Sequence, residues 1–300
     1  MWFRNLRPYR LPSRLGIDAE TLSTRMADKP FVPCRPTQPL STGWLPALDD
    51  SATELVHAAG PYWLVRLNRE EKLLPASVIR DEVNARVSQI ATAQGRKVYR
   101  KEKLEITDEV TQDLMPRAFS RSRPIEALID EREGWLWVNQ ASAPRAEDLL
   151  NALREVIGTL PAELPRTRKS PAQVMTDWLL HGGVPEGFEL GEDADLEDPR
   201  EGGGVVRARG VALDSDDIRA HLEGGMVVAR LALDWQERMS FVLDKDLVVR
   251  RLKFADELVQ THEDLADDRL AQRDADFLLL GENVAALQNE LVRHFGGLEV

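Results

Sequence analysis

MVVARLALDWQERMSFVLDKDLVVRRLKF, residues 226–254, decides the fold class. Three runs dense in branched and aromatic side chains, 226–233, 239–243 and 247–254, are joined by short polar turns. Strands linked so closely read as an antiparallel meander, because a parallel pair needs a long crossover between its members. Upstream lie a further strand at 205–211 and a short capped helix over 214–222. Before these, 182–203 is rich in Gly and acids and reads as a linker or flexible excursion. Downstream, a final helix is expected over 283–295.

The first half repeats the segregation of strands from helices. Residues 2–11 mix aromatic and basic side chains in partial alternation and read as a strand ended by Pro12, and 62–67 as a second one. Between them, 30–48 is proline-rich and reads as a loop. After Pro75, the spacing of Val78, Ile79, Val83, Val87 and Ile90 predicts an amphipathic helix to about residue 103, its cationic end suiting the negative pole of the dipole. A short helix over 107–114, a hairpin formed by 125–130 and 135–139, and capped helices opening at Ser142 and Ser170 follow. Adjacent strand runs alternating with helix runs favour α+β over a doubly wound sheet. The expected organisation is an N-terminal α+β region at 1–74 with 122–170, a helical excursion at 75–121, and an acidic α+β region at 171–300.

With 43% apolar and 30% charged residues, the chain has a globular composition that excludes collagen-like or wholly disordered classes. Its formal charge of −12 argues at face value against a polyanionic partner. By position, however, residues 1–170 hold 26 Lys and Arg against 23 Asp and Glu, a net +3, while 171–300 hold 13 against 28, a net −15. The acids concentrate at 192–198 and 263–268. The single Cys34 cannot pair within the chain or build a Cys-type zinc site. No apolar run reaches the length of about 18 residues that a spanning helix needs, and a cytoplasmic location is expected.

Signatures of catalysis are scarce. His57, His181, His221, His262 and His294 are scattered and form no paired-ligand motif, and Gly202-Gly203-Gly204 lacks the Lys-Ser/Thr ending of a phosphate loop. Nothing calls for a cofactor. Asp234, Asp244, Asp246 and Asp256 are candidate magnesium ligands of a nuclease, against the plainer reading that they cap turns and strand ends.

Clustered cations carry more information. Arg96, Lys97, Arg100, Lys101 and Lys103 surround Tyr99, with Glu102 as the one acid, and Arg117, Arg121 and Arg123 flank Phe119 in an acid-free segment. In the C-terminal strands, period two places Arg207 with Arg209 on one face and Arg251 with Lys253 on one face, with Arg230 a candidate to join them. These residues either form a shared basic surface or pair with acids of the same half. Both readings are open in the sequence.

Several blocks resemble the bacterial recombination-associated RdgC family. They are Met1-Trp2-Phe3-Arg4-Asn5-Leu6 with Tyr9-Arg10-Leu11, Gly43-Trp44-Leu45-Pro46, Glu70-Glu71-Lys72-Leu73-Leu74-Pro75, and Leu114-Met115-Pro116-Arg117-Ala118-Phe119-Ser120-Arg121. Leu231-Ala232-Leu233-Asp234-Trp235-Gln236 and Arg251-Leu252-Lys253-Phe254-Ala255-Asp256-Glu257-Leu258 complete the set, in family order. The resemblance implies horseshoe-shaped subunits closing into a ring-shaped homodimer around double-stranded DNA, with little sequence preference. It further implies a nucleoid-associated, non-catalytic role in restraining the RecA recombinase; single-stranded DNA as a further ligand stays open in the sequence. It places Phe119 at a subunit contact and Arg207, Arg209 and Arg230 at the hole. Gly210 and Val211 depart from the Lys and Gln that relatives carry there. Two other readings stand beside this one: a metal-dependent nuclease, and an acidic module that binds a basic protein.

Overall fold

Hydrogen bonding sorts the strands of the computed structural model, which describes residues 2–260 and 269–299, into two antiparallel sheets. The first half contains β1 (Arg7–Arg10), α1 (Ala19–Met26), β2 (Leu40–Leu45), β3 (Val56–Ala59), β4 (Tyr62–Leu73), α2 (Ala76–Gln94), α3 (Arg100–Leu114), β5 (Phe119–Asp130), β6 (Trp135–Val138) and α4 (Ala143–Ile157). The second half contains α5 (Pro171–His181), β7 (Phe188–Glu197), β8 (Val205–Ala208), α6 (Asp216–Glu223), β9 (Val227–Trp235), β10 (Met239–Asp244), β11 (Val249–Phe254), α7 (Asp256–Gln260) and α8 (Arg269–His294). The first sheet runs β1-β6-β5-β4-β2 with β3 also on β4, and the second runs β11-β10-β9-β7-β8. The expected α+β class and the meander are both present. No described helix is long and apolar enough to cross a membrane.

The first sheet is covered on both faces. Val65, Leu67, Ile125, Ala127, Ile129, Leu136 and Val138 pack with Leu22 and Met26 of α1 and with Leu149, Leu150 and Leu153 of α4. The alternate residues Tyr62, Leu64, Leu128, Trp135 and Trp137 face Phe277, Leu280 and Val284 of α8 in a core shared with the second sheet. Burial on both sides explains why all four residues of β6 are apolar. Gly281 lets α8 approach closely, since a Cβ there would meet the Tyr62 ring at 2.6 Å. The second sheet buries Leu231, Leu233, Trp235, Phe241 and Leu243 against Trp178, Ile218 and Phe295. Its other face is polar and open.

Beyond the first core, β4 and β5 stay paired from Tyr62–Asp130 to Leu73–Phe119. The ribbon's far end carries α2 and α3, which have a small core of their own: Val83, Ile106 and Val110, flanked by Ile79, Val87 and Leu114.

Several expectations are corrected. The helix expected to 103 ends at Gln94, because Gly95 adopts a left-handed conformation, φ 63°, and the cations after it lead into α3. Residues 107–114 belong to that same helix, so Arg100 and Lys101 occupy its first turn, the positive pole, and the dipole argument for them fails. The expected N-terminal strand shortens to β1, and the last helix begins fourteen residues before 283. Residues 30–48 contain β2, and α1 and β3 had no sequence expectation. The supposed linker 182–203 contains β7, an interior strand of the second sheet. Its acids disguised it: Glu189, Asp193, Asp195 and Glu197 take ladder or ion-pair partners only available in three dimensions. The acidic stretch 263–268 and His262 lie outside the described residues.

Candidate nucleic-acid interface

Strand register aligns a row of alternating charge across the open face of the second sheet. Arg207 on β8 stands opposite Asp195 on β7, Asp195 opposite Arg230 on β9, and Arg230 opposite Asp244 on β10. Arg250 of β11 closes the row, its Nε donating to Asp244 Oδ2 at 2.8 Å. Asp195 is the hub: its side chain is 6% exposed and accepts from Arg230 Nη1 at 3.0 Å and from Arg209 Nη2. Burial pushes its carboxyl up, but the Arg209 hydrogen bond and the charges of Arg209 and Arg230 outweigh this and hold it below its ordinary value. A cavity of about 50 Å³ opens between Asp193, Asp195, Arg209, Arg230, Arg250 and Arg251.

A β-bulge alters the expected grouping on β11. Val242 faces Arg250 and Ser240 faces Lys253, so the intervening Arg251 and Leu252 both oppose Phe241. The residues that share the ladder face are therefore Arg250 and Lys253, three apart, instead of Arg251 and Lys253. Arg251 takes a left-handed φ of 52° in the bulge and donates to Asp193 Oδ2 at 2.8 Å. Of the cations proposed for this sheet, Arg209, Arg230 and Arg251 are ion-paired, whereas Arg207 and Lys253 have no carboxylate partner among the described residues. The chain turns away just past β8 at Gly210, in left-handed backbone, followed by the exposed Val211.

The second cationic surface is the α2–α3 hairpin. Arg96 makes a two-pronged contact with Glu102, at 2.6 and 2.7 Å, and Lys103 donates to Asn84 at 3.3 Å. Lys97, Arg100 and Lys101 are exposed around Tyr99 without carboxylate partners among the described residues. Arg117 and Arg121, likewise exposed and unpaired there, lie where the hairpin joins the ribbon. Between them Phe119, 84% exposed, stands opposite the half-covered Leu73.

The nuclease candidates do not assemble. Asp244 is 4% exposed, and its carboxylate accepts the N–H groups of Asp246 and Val248 as well as Arg250, so it caps the turn between β10 and β11. Asp234 stands in the ladder opposite Ser240, and Asp256 opens α7. No group of three or more His, Cys, Asp and Glu among the described residues is placed to hold a metal ion.

Sequence reasoning missed Arg250, hidden by the bulge, and Arg166, Arg168 and Lys169, exposed on the connection between the halves. The acid-free run 164–170 carried a signal for the latter. It also missed the carboxylates that organise the sheet face, although Asp193, Asp195 and Glu197 recur at the strand period.

The family profile described as "Putative exonuclease, RdgC" matches residues 1–298. The chain is 41% identical over 302 residues to the recombination-associated protein RdgC of Pseudomonas putida strain GB-1, covering all of this chain and 99% of that one. It is 40% identical over 299 residues to the protein of the same name from Salmonella paratyphi B, covering 99% and 98% of the two chains.

Proposed function

The chain belongs to the RdgC family, and from that premise and its two cationic surfaces we propose that it is a non-catalytic protein that binds double-stranded DNA without sequence preference. It acts as a ring-shaped homodimer that restrains the RecA recombinase by occupying DNA. The observation that carries the reading is the set of exposed, unpaired cations at the hairpin, Lys97, Arg100 and Lys101, on a chain of net charge −12. Screening acts over about 8 Å at physiological salt, so a phosphate responds to these cations more than to distant carboxylates. Cations of this kind suit contacts to phosphate, which position a backbone and specify no base.

Phe119 supports self-association. With Leu73 opposite it, Phe119 leaves apolar surface open at the end of the ribbon, and a two-fold contact would bury two copies at once. A closed ring adds retention by topology, so modest contacts suffice for long residence.

The test is a gel shift on linear and covalently closed circular duplexes over a salt series, with a solution mass measurement. Similar affinity for unrelated sequences, a log-log salt slope of roughly −0.9 per phosphate neutralised, and a dimer mass are expected. Failure to bind any duplex at low salt would overturn the reading.

A further inference from the structure

We propose that Asp195 is a positioning residue that limits how tightly the second sheet grips phosphate, holding Arg209 and Arg230 in place while cancelling part of their charge. This rests on the DNA-binding reading above. The two arginines are not equivalent. Arg209 spends its donors inward, Nη2 on Asp195 and Nη1 on the carbonyl oxygens of Ala194, at 3.1 Å, and Ala208, at 2.6 Å. It is a brace. Arg230, about as exposed as Arg209, spends only one donor on Asp195 and has other N–H groups to offer outward.

Asp195 lies beneath these guanidiniums, in a strand interior and flanked by a cation on each neighbouring strand. A phosphate docking on Arg230 and Arg207 would meet the carboxylate's repulsion from one side chain away. Replacing the carboxylate by an amide removes that repulsion and keeps a carbonyl acceptor for one arginine, so most of the ordering survives. The charge effect therefore wins, and binding should tighten. A ring held by topology has use for such a brake, because a weaker grip lets it move along the duplex.

The experiment measures binding of the full chain to a fluorescent duplex over a salt series, comparing the unchanged protein with Asp195→Asn, Asp193→Asn and a Lys97/Arg100/Lys101→Gln triple variant, with thermal melts alongside. Asp195→Asn should bind roughly fivefold tighter near 0.1 M salt, with a slope steeper by up to about 0.9. A purely structural role would not steepen the slope. Asp193→Asn, at the margin of the same cavity beside Arg251, carries the same sign and serves if Asp195→Asn does not fold. Equal or weaker binding by the folded variants overturns the proposal. If the triple variant loses affinity while the Asp variants gain none, only this inference falls; if the unchanged protein binds no duplex, the functional reading falls with it.

Discussion

Two surfaces of this protein are rich in arginine and lysine and treat most of them differently. On the sheet, Arg209, Arg230, Arg250 and Arg251 are tied to Asp193, Asp195 and Asp244, two of which are almost fully buried. On the α2–α3 hairpin, Lys97, Arg100 and Lys101 stand in solvent, while Arg96 pairs with Glu102 and Arg86 with Asp113. The difference follows from what each scaffold can supply. Strands bring acids from distant sequence into register beside each cation, whereas a two-helix projection with a small core offers few neighbours. On the proposed reading, the paired cations of the sheet would serve stability as well as binding, whereas Lys97, Arg100 and Lys101 of the hairpin have no carboxylate to hold among the described residues.

The contrast breaks most visibly if the hairpin is neutralised. Lys97/Arg100/Lys101→Gln should lower duplex affinity roughly a hundredfold or more at low salt and flatten the slope by up to about 2.7, with the melting temperature unchanged. A large stability loss instead would show that these cations are structural. Arg230→Ala should do the reverse, costing about 1–3 kcal/mol of stability by leaving Asp195 with one fewer partner, while reducing affinity no more than about tenfold. Chemical denaturation and the same binding titration separate the two.

Phe119→Ala sharpens the comparison at the ribbon between the surfaces. The ring is exposed in the single chain, so subunit stability should move by no more than about 0.5 kcal/mol. Sedimentation should nevertheless show weakened self-association; an unchanged dimer would remove Phe119 from the contact. The smallest effect concerns acid. Because the Asp195 carboxyl is held below its ordinary 3.8 in the folded chain, the stability it contributes is present above that value and lost as pH falls through the lowered one. Melts from pH 6 to about pH 2.5 should show a shallower acid limb for Asp195→Asn than for the unchanged protein.

Local pattern was a good guide wherever one short segment contains its own cause. The meander, the hairpin before Trp135 and the helices that open after Ser142 and Ser170 are written in period, turn residues and an early proline, although neither serine makes the expected side-chain cap. It failed at β7, whose acids on an open face look like a linker when their partners are out of view. It failed again at 95–103, where one left-handed glycine reversed the helix pole that the cations face.

The sequence alone therefore determined the α+β class, the charge asymmetry between the halves and the cation clusters, because hydrophobic period, turn chemistry and composition act over a few residues. Only the tertiary structure decided which cations are free and which are held. That depends on strand register, and the bulge opposite Phe241 shifts it by one residue and brings Arg250 into the row while Arg251 pairs with Asp193.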